Sequence, residues 1–477
     1  MTRDELRAAA RRLCEWHERF IGLFGRVEAR EHSLVYLKGL LSDQKRKSVE
    51  PIALRFAKGR NGGLVTQNEV VAMQEFLTAS PWEAGDVFRE LQAVFAEELM
   101  PTTSQWSIGT VGVIDESGFT KAGTESVGVA RQWCGRVGNT ANCQVGVFLV
   151  GVTPGGTALL DGQLFLTEER CKDFAHRTKT HVPKDVAFKS KPMIAADMIA
   201  RTTATGRVRF DWIIGDELYG DSGPLLTELE TMKQRYLLET KKTTLFWTVD
   251  PATFGGATPG PKLRKKLGSY RYKEVKQVQE IANSLPPEAW RTLQLREGAK
   301  GPLAYEFAAV RGWAMRDKRP GPPIWLVLRR TLDEVSQVWY YVSNADEATR
   351  LEQMAMVTGT RCRVEEFFQD GKTHLGMADY EARSWRSWHH HMSLVALAHL
   401  YVTLTKRDMQ RDVPELTLDM AVRVLRSAFA SSHLTEDDSI HLIDYHLHRN
   451  HVAHESHRKS WLCKHKRCSK ASSNPTA

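Results

Sequence analysis

The sequence lacks an apolar run long enough for a membrane span. The closest, Met392 to Leu404, is short and contains His399, whereas a span needs ~20 apolar residues. The opening MTRDELR is charged at once and has no apolar signal core. Cysteine is sparse. The seven residues Cys14, Cys134, Cys143, Cys171, Cys362, Cys463 and Cys468 are odd in number and scattered, which is no disulfide framework. No internal repeat is present. These absences point to a cytosolic, reduced protein with no membrane partner. What is there is ordinary for a globular chain: 42% hydrophobic and 26% charged residues, which excludes a mainly disordered or fibrous one. At 477 residues the chain exceeds one compact domain of ~100–200 residues. It carries 66 Lys+Arg against 57 Asp+Glu, a net charge of +9. That balance favours a polyanionic partner, nucleic acid first, with an ordinary basic enzyme as the other reading.

Five segments follow from texture. Residues 1–105 read as helical and basic. Leu6, Leu13, Trp16, Phe20 and Phe24 repeat at three to four residues. Thr66 with Glu69 three residues on forms a capping-box signature. Arg3, Arg7, Arg11, Arg12, Lys45, Arg46 and Lys47 make this either a DNA-binding module or a bundle with a solvated basic face. Residues 106–240 read as α/β with a mixed sheet: strands in GTVGVIDESGF, SVGVARQWCG and NCQVGVFLVGV, then a helix–strand–helix–strand alternation ending in YLLET. Residues 241–350 read as a β-rich insertion with a hairpin in IWLVLRRTLDEVSQVWYYVSN, 351–410 as a return to helix, and 411–477 as a helical, basic end.

Three carboxylates stand out. Asp115 follows Val111, Val113 and Ile114 at the end of one strand, and Asp216 follows Trp212, Ile213 and Ile214 at the end of another. In α/β sheets, sites form outside the carboxyl ends of strands. Glu116 and Glu217 are their acidic neighbours, and alternation lets only one of each pair face a site. On the helix near 361–375, Arg361, Glu365 and Lys372 fall within about 40° of one another. Val364, Phe367, Phe368 and Leu375 form the adjoining apolar stripe. Each feature alone reads as a strand end or a surface ion pair. Together the carboxylates are an oxygen set suited to Mg²⁺ or Mn²⁺, and two such ions suit phosphodiester chemistry.

The blocks IDESGFTKAGTESVGVARQWCGRVGNTANCQVGVFLV, FKSKPMIAADMI, WIIGDELYGDS and RVEEFFQDGKTHLGMADYEARSWRSWHHH resemble the DDE transposases of bacterial insertion sequences. Specifically, they look like the group numbered seven hundred and one, DDE superfamily endonucleases. The resemblance implies an RNase H-like core with a β-rich insertion before the glutamate, and Asp115, Asp216 and Glu365 as the catalytic and metal-binding triad. Such transposases carry Tyr-x2-Arg-x3-Glu-x6-Lys around the glutamate. Arg361, Glu365 and Lys372 match, while Thr358 stands where the tyrosine would be.

The resemblance further implies binding to the element's terminal inverted repeats, cleavage there, and joining of the 3′-hydroxyls to target DNA. It implies two Mg²⁺ or Mn²⁺ ions per site, double-stranded DNA as partner, and a homodimer in the synaptic complex, nucleoid-associated in a bacterial cytoplasm. Arg361, Lys372, Lys121, Arg131, Lys265 and Lys266 are the expected DNA contacts. Lys265 and Lys266 lie with Lys262 and Arg264 in a basic loop of the insertion. Related enzymes hold a flipped base on an insertion aromatic, for which Trp247, Trp290, Trp313, Trp325 and Trp339 are the candidates, each otherwise a core residue. Residues 445–470 hold seven Lys/Arg against one Glu, a DNA-binding tail. Its Cys463, His465 and Cys468 fit no standard zinc spacing. His389, His390 and His391 read as packing or phosphate-contacting residues. Two alternatives stand beside the transposase: a domesticated sequence-specific DNA-binding protein, and a metal-dependent endonuclease without strand transfer.

Overall fold

The structure, a computed structural model, describes residues 12–57, 65–100, 108–254, 275–298, 301–316, 319–333, 337–413, 415–429 and 436–471. After a helical stretch at residues 12–18 and a 3-10 turn (Ile21–Phe24) come α1 (Val27–Leu41), α2 (Val49–Phe56), α3 (Gln67–Thr78) and α4 (Ala84–Glu98). The capping box is present: Thr66 starts α3, and the Glu69 carboxylate accepts the Thr66 backbone N–H at 2.7 Å. Part of the basic character of this region is internal. Lys47 is buried, and its ammonium donates to the carbonyls of Leu40, Ser42 and His374. It thereby closes the end of α1 and ties it to the segment following residue 373, so it is no part of a solvated basic face. Lys45 and Arg46 are exposed, the latter paired with Glu381.

Strands β1 (Val111–Thr120), β2 (Ala130–Cys134), β3 (Asn139–Thr153) and β4 (Gly156–Phe165) follow, then helices α5 (Glu168–Lys172), α6 (Phe174–Lys179) and α7 (Lys191–Thr203). Strand β5 (Trp212–Gly215) runs into the short helices α8 (Glu217–Gly220) and α9 (Gly223–Thr231), and β6 (Tyr236–Thr240) comes next. Residues 241–350 supply β7 (Leu245–Trp247), β8 (Lys276–Gln277), helix α10 (Val278–Ser284), β9 (Arg291–Gly298), β10 (Gly301–Arg316), β11 (Arg319–Arg330) and β12 (Val338–Ser343). The expected hairpin is β11–β12. All twelve strands form one mixed sheet in the order β2-β3-β1-β5-β6-β12-β11-β10-β7-β8, with β4 on β3 and β9 on β10. The insertion strands therefore extend the sheet past β6. Strands β1, β5 and β6 are parallel neighbours, flanked by antiparallel β3 and β12.

Helices α11 (Leu351–Thr358), α12 (Cys362–His374), α13 (Trp385–Met409), α14 (Leu418–Phe429) and α15 (Glu436–Ala471) complete the chain. Helix α13 is buried along most of its length and packs on β4 and α4. Among the described residues no helix is long and apolar enough to cross a membrane. Helix α12 lies on one face of the sheet, with Phe368 edge-on to Phe148 of β3 at 5.4 Å.

Candidate active site at the carboxyl ends of three parallel strands

Strand β1 is apolar and buried through Ile114 because it sits inside the sheet with both faces covered. Its polar character begins where the parallel pairing ends. Val113 is in register with Ile214, and Gly215 with Leu238. Carried two residues further along β1–β5 and one further along β5–β6, these registers align Asp115, Asp216 and Glu239 in one row across the ends of β1, β5 and β6. Register neighbours in a sheet point to the same face. Asp115 Oδ1 accepts the Glu116 N–H at 2.7 Å. Asp216 starts α8, its Oδ1 accepting the Leu218 N–H at 3.0 Å.

The alternation separates Asp115 from its neighbour. Glu116 is held by the Lys191 ammonium at 2.7 Å and by the Tyr219 hydroxyl at 3.1 Å. Both partners come from the helical layers, so Glu116 is a fixed structural acid. Glu217 is exposed.

Helix α12 brings the other half. Its buried stripe is Val364, Phe367, Phe368 and Gly371, and Arg361, Glu365 and Lys372 border it. The Arg361 guanidinium donates to Glu365 Oε1 at 3.0 Å and lies 4.0 Å from Glu239 Oε2. Its charge acts on Asp115, Glu239, Glu365 and Asp216 together. One guanidinium thus faces four carboxylates. Burial, and then the charge of Asp216, push the Asp115 carboxyl up to about 7. Burial, with Glu116 next, raises Asp216, and burial raises Glu239. Glu366, on the other side of α12, is bonded by Arg363 at 2.7 Å. Lys372 donates to Ser117 Oγ at 2.7 Å on β1, and burial pulls its ammonium down to about 8.

The structure therefore gathers Asp115, Asp216, Glu365 and Arg361, with Lys372 further along β1. Lys121 lies in the turn after β1, 3.9 Å over the Tyr380 ring, and donates to the Tyr380 carbonyl at 3.1 Å. Arg131 is exposed on the edge strand β2. Lys265 and Lys266, with Lys262 and Arg264, lie outside the described residues. Thr358 is buried and bonds the Ala355 carbonyl of its own helix at 2.7 Å. Glu239 is the residue that sequence reasoning missed. The signal was available in YLLET, a third acid at the carboxyl end of a third strand. Of the insertion tryptophans, Trp247 and Trp290 are buried. Trp313, Trp325 and Trp339 are half-buried, with Arg311 over Trp325 at 5.3 Å and Arg329 over Trp339 at 4.2 Å. His389, His390 and His391 are packing residues of α13 and its surroundings.

The donor set fits a hard divalent cation in kind. Its ligand atoms are all carboxylate oxygens, and burial beside Asp216 holds the Asp115 carboxyl above its usual range. Among the described residues no three His, Cys, Asp or Glu side chains stand close enough together to hold one ion. Glu365 instead engages Arg361, with 59% of its side chain exposed.

The sequence profile of the DDE superfamily endonucleases matches residues 19–302, which include Asp115 and Asp216. A protein of Microchaete diplosiphon described as a probable transposase for insertion sequence element IS701 is 28% identical over 226 residues. That match spans 47% of this chain and 52% of the relative, about half of each. Enzymes of the superfamily generally use divalent metal ions. With the profile covering more than half of its length, this chain belongs to the DDE superfamily endonucleases.

Proposed function

We propose that the protein is a DNA transposase of an insertion sequence, binding the terminal inverted repeats of its element, cutting there, and joining the 3′-hydroxyls to target DNA. The carrying observation is the row of Asp115 and Asp216 on adjacent strand ends beneath the α12 face that bears Arg361 and Glu365. Asp115, Asp216 and Glu365 are the catalytic, metal-holding carboxylates. The chemistry two Mg²⁺ or Mn²⁺ ions supply at such a site is activation of the attacking oxygen and stabilisation of the leaving one. The residues of the chain do the positioning. Asp115 and Asp216 are fixed by short backbone hydrogen bonds. Arg361 has a fork suited to two oxygens of one phosphate. Lys372, anchored on Ser117, supplies a second cation about three turns beyond Arg361 along α12. Lys121 and Arg131 extend the positive surface beyond it, with Lys265 and Lys266 as further contacts.

The reaction is in-line phosphoryl transfer, by water in cutting and by the 3′-hydroxyl in joining. The partners are double-stranded DNA and, for synapsis of two ends, a second copy of this chain. The setting is a bacterial cytoplasm, at the nucleoid. Residues 1–105 serve DNA binding, 106–240 and 351–410 the RNase H-like core, 241–350 the insertion, and 411–477 the basic end. The test is Mg²⁺-dependent cleavage and joining of DNA bearing the element's ends. Wild type yields joined products, and Glu365→Gln binds the DNA but neither cuts nor joins it. Binding by both proteins with cutting by neither, under Mg²⁺ or Mn²⁺, overturns the enzyme and leaves the DNA-binding alternative. Cutting without joined product leaves the simple endonuclease.

A further inference from the structure

The pairing of β1 with β5 ends at Val113–Ile214, two residues short of Asp115 and Asp216. Beyond that point the ladder no longer sets the spacing of the two acids. A side-chain bridge takes its place. Directly after β5 the chain turns into α8, which Asp216 starts, and the Tyr219 N–H bonds the Asp216 carbonyl at 3.1 Å. The Tyr219 side chain is fully buried, and its hydroxyl donates to Glu116 Oε2 at 3.1 Å. Tyr219 thus ties the backbone that carries Asp216 to the residue next to Asp115.

The bridge is held at both ends. The other Glu116 oxygen accepts the Lys191 ammonium at 2.7 Å from the start of α7. Only 16% of the lysine side chain and 20% of the glutamate side chain are exposed. Apolar residues of the same volume often hold a fold as well as a buried ion pair does, so folding alone does not explain this one. On the Tyr219 side, a Cβ on Gly215 would lie 3.2 Å from the ring, and one on Gly220 would run into the Glu239 carbonyl. The ring therefore lies close on β5, and the end of α8 close on β6. Burial, with Glu116 next, raises the Tyr219 phenol well above its ordinary range, so it remains a donor. The charges of Asp115 and Asp216 reach the same phenol.

Acids that share a cation must be kept at a fixed separation against their own repulsion. Groups behind the ligands do this, and losing one costs about 10- to 100-fold in metal affinity or activity. We propose that Tyr219 and Glu116 are positioning residues that hold Asp115 and Asp216 at the separation a divalent cation requires, with Lys191 fixing Glu116 from behind. This rests on the metal-holding reading of Asp115 and Asp216 above. It gives Glu116, which alternation turns away from the site, a part in the site's geometry.

The test is Mn²⁺ affinity of the DNA-free full chain by electron paramagnetic resonance titration, with melting of the metal-free protein alongside. The proteins are wild type, Tyr219→Phe, Tyr236→Phe, Glu116→Gln and Asp115→Asn. Tyr236 is the control: it too is fully buried and donates to a carboxylate, Glu230 Oε1, at 2.8 Å. Both phenylalanine variants lose such a bond and should melt lower by similar amounts. Tyr219→Phe is expected to bind Mn²⁺ about 10- to 100-fold more weakly, and Tyr236→Phe within about twofold of wild type. Glu116→Gln keeps an acceptor for Tyr219 and is expected to lose about tenfold. Wild-type affinity in Tyr219→Phe (or in Glu116→Gln, should Tyr219→Phe not fold) overturns the proposal. So does an equal loss in Tyr236→Phe, which makes the effect one of stability. Wild-type uptake by Asp115→Asn, or none by wild type, overturns the metal-holding reading instead.

Discussion

Helix α13 and the acid row both bury ionisable side chains, with opposite outcomes. On α13 His389 and His391 are neutral and satisfied. The His391 ring accepts the Tyr36 hydroxyl at 2.8 Å through Nδ1 and donates to the Gly376 carbonyl at 3.2 Å through Nε2. His389 donates to the Trp385 carbonyl at 2.9 Å and accepts the Leu164 N–H at 3.5 Å. Burial pushes His389 down to about 4 and His391 and His399 down to about 3. At the acid row four carboxylates share one guanidinium, and the Asp115 carboxyl is pushed up to about 7. A buried polar group whose valences are filled holds a fold together. Buried carboxylates short of positive charge destabilise the fold and persist where something else binds.

Four experiments break or sharpen that contrast. The largest effect belongs to the row. Asp115→Asn is expected to lose about a thousandfold or more in Mg²⁺-dependent cleavage, about 4 kcal/mol of barrier, and yet to melt higher than wild type without metal at pH 7. A rate within tenfold of wild type contradicts the assignment. Next comes His391→Ala, which leaves a cavity and an unpaired Tyr36 hydroxyl. It should cost about 3 kcal/mol of stability in denaturant unfolding, while the surviving folded fraction cuts at the wild-type rate.

Glu239→Gln is milder. It weakens the electrostatic hold on Arg361 and should slow cleavage about tenfold. An unchanged rate would make Glu239 a bystander in the row.

The smallest and most diagnostic effect is in pH. A carboxyl raised from 3.8 to about 7 binds more protons folded than unfolded between those values. Its contribution to stability therefore falls as pH rises through that window. Histidines lowered from 6.5 to about 3 or 4 bind more protons unfolded, so theirs is lost as pH falls below 6.5. Melting followed from pH 4 to 7 should show the gap between Asp115→Asn and wild type widening with pH. A constant gap refutes the charge shortage.

The row and the helix differ also in how far the sequence revealed them. Asp115 and Asp216 are legible because apolar runs stop at them, and Glu365 because a helix has a fixed period that sets it beside Arg361 and Lys372. The hairpin of β11–β12 is legible from its aromatic, branched strands. Strand β4 was not read, since GTALLDGQLF lacks clean alternation when both of its faces are buried. Glu239 was not read because its place depends on the β5–β6 register, a long-range fact that no local pattern carries. Lys47 looks like a surface lysine in DQKRKSVE. Only the meeting of α1 with the end of α12 turns its ammonium inward onto three carbonyls. The tryptophans show the same limit. Composition gives their number, but only the packing tells that Trp133 is outside and Trp247 inside.

The most direct test of the central claim is a Mn²⁺ binding titration on the DNA-free protein, followed by electron paramagnetic resonance, for wild type, Asp115→Asn and His391→Ala. The account predicts that wild type and His391→Ala take up Mn²⁺ and that Asp115→Asn loses that uptake. Equal uptake by wild type and Asp115→Asn, or none by wild type, would contradict the reading of the acid row as a metal-holding catalytic site.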